Sequence, residues 1–130
     1  MAFGLKKKKK PQVPTVVIAD DDPQVLSMWS DWMKLIRKLD VIGTASDAAG
    51  ALNLLREQSP DLVLLDQNMP PGTGSQAIEE ARKAGFKGVC VIMSGEDVGL
   101  TAAQQESGTY FVSKAAGSSR LAQLLDELDL

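Results

Sequence analysis

Residues 62–74 read LVLLDQNMPPGTG, a short apolar run that ends at Asp66 and leads into a segment rich in proline and glycine. An apolar run of this length predicts a strand that is buried on both faces. Proline and glycine favour turns, so a loop is expected to connect this strand to an amphipathic helix at about Ser75–Ala84. The stretch therefore predicts a buried strand with a carboxylate at its carboxyl end.

The rest of the chain repeats this pattern of a short apolar strand followed by an amphipathic helix. The predicted strands are Thr15–Ala19, Val41–Ala45, Leu62–Leu65, Val89–Met93 and Tyr110–Val112. The five predicted helices start at Pro23 after the cap Asp22, at Ala48 after the cap Asp47, and near Ser75, Val98 and Leu121. Strict alternation predicts an α/β fold, a flavodoxin-like doubly wound (βα)5 unit with a five-stranded parallel sheet.

The first predicted helix carries an apolar stripe that includes both tryptophans. Its apolar residues recur at helical spacing, and they are Val25, Trp29, Trp32, Met33, Ile36 and Leu39. Such spacing predicts one face packed on the sheet rather than an aromatic ligand site.

Composition limits the function. The 130 residues are 44% hydrophobic and 24% charged, as in a single globular domain. The chain has no histidine, which excludes histidine-liganded metal sites, Ser-His-Asp triads and a phosphohistidine on this chain. Its single cysteine, Cys90, excludes an intrachain disulfide and a cysteine-based zinc site, and its apolar neighbours predict a buried, inert thiol.

Charge is distributed unevenly. Lys6–Lys10 supply five of the 14 basic residues, so the rest of the chain is acidic, with 17 aspartates and glutamates in all. We therefore predict a basic, flexible tail over residues 1–13 and one acidic domain over 14–130 that does not bind nucleic acid. The lysine run also permits a membrane or nucleic-acid interpretation. No apolar segment is long enough for a signal peptide or a membrane span, which predicts a cytoplasmic protein.

Polar residues follow four of the predicted strands. Asp20 and Asp21 follow the first, Asp66 the third, Ser94 the fourth and Lys114 the fifth. Ligands bind at the carboxyl ends of such strands, and strand order 2-1-3-4-5 would bring the ends of strands one and three together. Three carboxylates so close would repel one another unless a cation intervenes. With no histidine or cysteine available, oxygen ligands favour Mg²⁺, and the whole set suits phosphoryl transfer to a carboxylate.

These segments resemble the receiver domain of two-component response regulators, over essentially residues 14–130. The resemblance implies that Asp66 is the phosphoacceptor, modified by a histidine kinase or a histidine phosphotransfer protein. It further implies a downstream protein target, no enzymatic turnover, and either a stand-alone receiver or part of a longer protein. The matching segments are Val17–Pro23, Asp66–Gly74, Ile92–Gly95 and Phe111–Lys114.

The resemblance also implies a role for each site residue. Asp21, Asp66 and the carbonyl of Asn68 would bind Mg²⁺ directly, and Asp20 would act through water. Ser94 would donate a hydrogen bond to the phosphoryl group and Lys114 would pair with it. Phosphorylation would draw Ser94 inward and let Phe111 rotate, which alters the surface formed by the last strand and its flanking helices.

The chain departs from the family pattern in two places. Ala115 follows Lys114, where the family usually has proline and often a cis peptide bond. A cis bond before a residue other than proline costs about 2.5–4 kcal/mol, so we expect a trans bond here. The spacing from Asp66 to Lys114 is a few residues short, around the helix predicted at Val98–Gln105.

Three other functions have partial support in the sequence. Gly72–Ala77 fits the G-x-G-x-x-A dinucleotide pattern, but five residues separate it from Asp66, whereas a dinucleotide loop follows its strand tightly. Asp20–Asp22 contains the D-x-D of haloacid-dehalogenase-like phosphatases, but Gln24 departs from their motif and the chain is too short for a cap domain. The nearest alternative is a degenerate receiver that docks proteins independently of phosphorylation.

Overall fold

The computed structural model describes residues 13–95 and 108–130. Within them, five strands form one parallel sheet in the order β2-β1-β3-β4-β5, which confirms the predicted topology. The strands are β1 (Thr15–Ala19), β2 (Asp40–Ala45), β3 (Leu62–Asp66), β4 (Val89–Ser94) and β5 (Thr109–Ser113). The helices are α1 (Pro23–Asp31), α2 (Ala48–Gln58), α3 (Gly74–Lys83) and α4 (Gly117–Glu127). The helix predicted at Val98–Gln105 and the lysine run lie outside the described residues.

The central strand β3 is buried along its whole length because helices cover both faces of the sheet. Alternate residues of each strand point to opposite faces. Leu62 and Leu64 belong to the core on the side of α1 and α4, whereas Val63 and Leu65 belong to the core on the side of α2 and α3. Cys90 lies in the second core, and burial raises the pKa of its thiol to about 12, as expected of an inert cysteine.

Aspartate caps begin the first two helices, as predicted. The side chain of Asp22 accepts a hydrogen bond from the backbone N–H of Gln24 at 2.9 Å. The side chain of Asp47 accepts from the N–H of Gly50 at 2.7 Å. Both caps satisfy amides that a helix leaves without an internal partner.

The predicted apolar stripe of the first helix is wrong beyond Met33. A π-helical turn over Trp32–Ile36 follows α1, and the N–H of Arg37 donates to the carbonyl of Trp32 at 3.1 Å. The wider turn shifts later residues off the α-helical stripe, so Ile36 is exposed. The helix has ended before Leu39, which is buried from a loop position instead.

Among the described residues, no helix is both long and apolar enough to cross a membrane.

Candidate functional site

Three carboxylates meet at the carboxyl end of the sheet. Asp20 and Asp21 follow β1 and Asp66 ends β3, and these strands are neighbours with Ala19 opposite Leu65. One oxygen of each carboxylate lies within 4.8 Å of the other two. Asp20 and Asp66 are only 4% and 5% exposed, whereas Asp21 is exposed. The parallel topology alone brings these residues together, as the strand ends predicted.

Lys114 supplies a positive charge at the same place. Its Nζ lies 3.0 Å from Oδ1 of Asp66, and its side chain is 40% exposed. Partial burial lowers the pKa of Lys114, but the hydrogen bond that its ammonium donates to Asp66 and the negative charges of Asp66, Asp20 and Asp21 outweigh this effect and raise the pKa. The ammonium therefore stays protonated and compensates one of the three negative charges.

The remaining negative charge makes this cluster suitable for a cation. Burial raises the pKa of Asp20, and the charges of Asp66 and Asp21 raise it further, against the hydrogen bond from the N–H of Asp22 and the charge of Lys114. Oδ1 of Asp20 accepts that backbone hydrogen bond at 2.9 Å. Carboxylate oxygens are the donors that a hard cation such as Mg²⁺ prefers, so the donor set fits the predicted ion.

The loop after Asp66 is hydrogen-bonded to the end of β3, the strand that precedes it. The N–H of Asn68 donates to Oδ1 of Asp66 at 3.3 Å. Asn68–Met69 pair antiparallel with Gly72–Thr73 in a two-residue ladder that the sequence did not predict. Gly74 then begins α3 so close to Asp66 that a Cβ on it would lie 2.6 Å from the carbonyl oxygen of Asp66. Only glycine fits this approach without displacing the backbone.

The turn that carries Lys114 is built without proline. The Lys114–Ala115 bond is trans, as expected, and Lys114–Ala116 form a single 3-10 turn. The N–H of Ala115 donates to Oγ of Ser113 at 3.2 Å. Gly117 closes the turn with a φ of 64°, a left-handed conformation that favours glycine. The hydroxyl of Ser113 thus stabilises the turn through the N–H of Ala115, a donor that a proline at position 115 would lack.

The other two predicted residues lie on neighbouring strands. Ser94 ends β4, is 8% exposed and pairs in register with Ser113. Phe111 lies on β5 opposite Ile92 and is half-buried. The fold therefore places Ser94 at the same sheet edge as Asp66, and Phe111 two residues before Ser113.

Comparison with known proteins agrees with this geometry. Residues 16–126 match the response regulator receiver domain. The chain belongs to this family. It is 27% identical over 114 residues to the probable C4-dicarboxylate response regulator DctR of Bacillus subtilis, covering 86% of this chain and 50% of that protein. It is 28% identical over 102 residues to the nitrate/nitrite response regulator protein NarL of Escherichia coli, covering 75% of this chain and 47% of that protein. The receiver thus spans about half the length of these two regulators.

Solved receiver structures have the same fold. The signal receiver domain of the response regulator NarL from Mycobacterium tuberculosis superposes with a TM-score of 0.78 at 26% identity, covering 91% of this chain and 97% of that one. The response regulator domain of Thermotoga maritima CheB superposes with a TM-score of 0.75 at 22% identity, covering 91% and 95%. The second likeness is evidence for the fold alone.

The sequence patterns gave no role to Gln67, yet this residue makes four hydrogen bonds beside the carboxylate cluster. Its N–H donates to the carbonyl of Met93 at 2.8 Å and its carbonyl accepts from the N–H of Gly74 at 3.0 Å. Its side-chain Oε1 accepts from the N–H of Ser75 at 2.9 Å and from Oγ of Ser75 at 2.8 Å. A contact that spans eight residues across a loop leaves no periodic signal in the sequence.

Proposed function

We propose that this receiver accepts a phosphoryl group on Asp66 from a histidine kinase or a histidine phosphotransfer protein, and that the phosphoryl group switches a protein-binding surface. One observation carries the proposal: a buried carboxylate at the end of the central strand lies beside two other carboxylates and 3.0 Å from an ammonium. A structural aspartate gains nothing from two neighbouring carboxylates, which repel it, whereas a phosphoacceptor that binds a cation there uses them, and it also needs positive charge near its nucleophilic oxygen.

The proposed transfer uses three side chains of this chain. A carboxylate oxygen of Asp66 attacks the phosphorus, the phosphorus–nitrogen bond of the donor histidine breaks, and the electron pair of that bond stays on the imidazole nitrogen. Lys114 moves its positive charge from Asp66 to the new phosphoryl oxygens. The hydroxyl of Ser94 donates a hydrogen bond to one of them and keeps its proton. Catalysis of this kind is mostly positioning and charge stabilisation.

The acidic cluster has a separate role in this proposal. Asp20, Asp21, Asp66 and the carbonyl of Asn68 would hold Mg²⁺. When bound there, the ion supplies positive charge against the phosphoryl oxygens. Asp21 is the most accessible of the three carboxylates, and the buried pair Asp20 and Asp66 fixes the inner side of the site.

The output of the proposed switch lies at the adjacent strand ends. Ser94 ends β4 and Lys114 directly follows the neighbouring strand β5, so a phosphoryl group that both contact would pull β4 and the start of the Lys114 turn toward Asp66. Phe111 lies on β5, three residues before Lys114, and is half-buried. Its rotation is the means by which the change would reach the surface that binds a downstream protein.

Acetyl phosphate tests the phosphoacceptor directly. Incubation with acetyl phosphate and Mg²⁺ should add one phosphoryl group to the intact mass of the wild-type chain. Asp66→Asn keeps the shape of the side chain and removes the nucleophile, so it should remain unmodified. Equal modification of both proteins would place the phosphoryl group elsewhere. An unmodified wild type would contradict the proposal and favour a docking module independent of phosphorylation.

A further inference from the structure

Gln67 accepts hydrogen bonds from the first two backbone amides of α3. A helix leaves its first N–H groups without internal partners. In α3, the N–H of Gly74 donates to the carbonyl of Gln67 at 3.0 Å and the N–H of Ser75 donates to Oε1 of Gln67 at 2.9 Å. The third N–H, of Gln76, donates to Oγ1 of Thr73 at 3.1 Å. One residue therefore satisfies two of these three amides, and it is the residue directly after Asp66.

The same residue is also tied to the sheet. The N–H of Gln67 donates to the carbonyl of Met93 on β4 at 2.8 Å, and the Oγ of Ser75 adds a second bond to Oε1 at 2.8 Å. Gln67 thus connects the end of β3, the end of β4 and the start of α3. Both side-chain bonds are partly buried, which protects them from competition by water.

The loop closed by these bonds carries Asn68, whose expected ligand is a backbone carbonyl. A backbone ligand has no rotamers of its own, so its direction depends only on the conformation of the loop. The loop runs from Gln67 to Ser75, and the side chain of Gln67 holds its two ends together. Fixing a ligand in advance raises affinity because less ordering is needed when the ion binds.

We propose that Gln67 is a positioning residue for the metal site, acting through the start of α3 without touching the ion. Ser75 is its partner in this role. The inference rests on the proposed function in assuming that this site binds Mg²⁺. It goes further in assigning part of the affinity to a side-chain bridge outside the carboxylate cluster.

Calorimetric titration of the whole chain with Mg²⁺ tests the bridge. Gln67→Met keeps the length of the side chain and removes its acceptor, so the dissociation constant should rise about threefold to tenfold. Ser75→Ala removes only the hydroxyl donor and should raise it about twofold. In the Gln67→Met background, Ser75→Ala should have no further effect, because the bond that it removes is already lost.

Thr73→Ala is the matched control, because it removes a cap from the same helix and leaves the bridge intact. It should lower the melting temperature about as much as Gln67→Met, yet keep the wild-type affinity for Mg²⁺. In NMR spectra, Mg²⁺ should shift the Asn68 carbonyl resonance in wild type and in Thr73→Ala at the same concentration, but at higher concentration in Gln67→Met.

The outcomes separate this inference from the proposed function. If wild type binds Mg²⁺ and Gln67→Met binds it equally well, Gln67 has no positioning role while the metal site stands. Additive effects of the Gln67 and Ser75 substitutions, or an equal loss of affinity in Thr73→Ala, would likewise overturn it. If wild type binds no Mg²⁺, the metal site itself is wrong and both proposals fail. Ser75→Ala alone decides the matter if Gln67→Met does not fold.

Discussion

Replacing Gly74 by alanine tests how tightly the start of α3 is packed against the end of β3. A Cβ at this position would lie 2.6 Å from the carbonyl oxygen of Asp66 and 3.3 Å from the Cα of Gln67, and both are backbone atoms. Ordinary contact begins at 3.4 Å, so the helix and the loop must move apart by about 0.8 Å, the difference between the two distances. No flexible side chain is available to absorb this movement.

The expected loss of stability follows from three contributions. Overpacking of this kind costs about 1–3 kcal/mol, and stretching the 3.0 Å bond from Gly74 N–H to the Gln67 carbonyl costs up to about 1 kcal/mol. Alanine is favoured over glycine within helices by up to about 1 kcal/mol, which offsets part of the loss. Gly74→Ala should therefore lower the free energy of unfolding by about 2 kcal/mol, or about 6 °C in melting temperature.

Urea unfolding followed by circular dichroism measures this change, with Gly95→Ala as the control. Gly95 follows β4 at the same end of the sheet, is exposed, and has no atom of the described residues within 4 Å of a Cβ, so alanine there should change stability by less than about 0.5 kcal/mol. If Gly74→Ala unfolds within 0.5 kcal/mol of wild type, the close approach is wrong. If both variants lost the same free energy of unfolding, the loss would come from any substitution at this end of the sheet and not from the packing of α3.

Four further results are expected. Mg²⁺ at ten times its dissociation constant should stabilise wild type by about 1.4 kcal/mol in thermal unfolding but leave Asp21→Asn nearly unchanged. Because the folded-state pKa of Asp20 is raised, the folded protein binds more protons than the unfolded one and its stability falls as pH rises through that range. Asp20→Asn should thus be more stable than wild type at pH 7 without Mg²⁺, and the difference in stability should close as the pH falls in acid unfolding curves. Beryllofluoride should shift amide resonances around Phe111 in wild type and much less in Ser94→Ala, and equal shifts in both would refute the switch. Deleting residues 6–10 should change neither melting temperature nor phosphorylation, and a lost membrane or partner interaction would show that the tail binds.

Most of the fold was predictable because its signals are local. Each strand is an apolar run, and each of the first two helices begins after an aspartate that caps it. Once the strands are parallel, the residues after β1, β3, β4 and β5 must share one edge, so the sequence predicted the location of the site as well. The family match over residues 16–126 is consistent with that prediction.

The missed features depend on tertiary contacts. The π-helical turn over Trp32–Ile36 has ordinary helix-forming residues, and nothing in their spacing distinguishes it from an α-helix. The bridge from Gln67 to Ser75 and the cap from Ser113 to Ala115 N–H join polar residues that have no periodic relation. Such bonds are visible only when the loop conformation is known.

The site is also the place where this sequence departs from what a stable core requires. Apart from Thr15, the residues of β1 and β3 that precede these carboxylates are apolar. Each strand nevertheless leads into a buried carboxylate, and among the described residues only Lys114 forms an ion pair with the three-carboxylate cluster. Packing alone would favour apolar residues at Asp20 and Asp66, because buried like charges repel and lose their hydration. Ordinary contacts hold the two carboxylates in place. The N–H of Asp22 donates a hydrogen bond to Asp20, the N–H of Asn68 donates one to Asp66, and the start of α3 packs against the backbone of Asp66. A domain that keeps such a cluster at one end of its sheet gains stability from a cation that neutralises the cluster. A ligand or modification at this cluster can shift the conformation only as far as its interaction free energy differs between the two states.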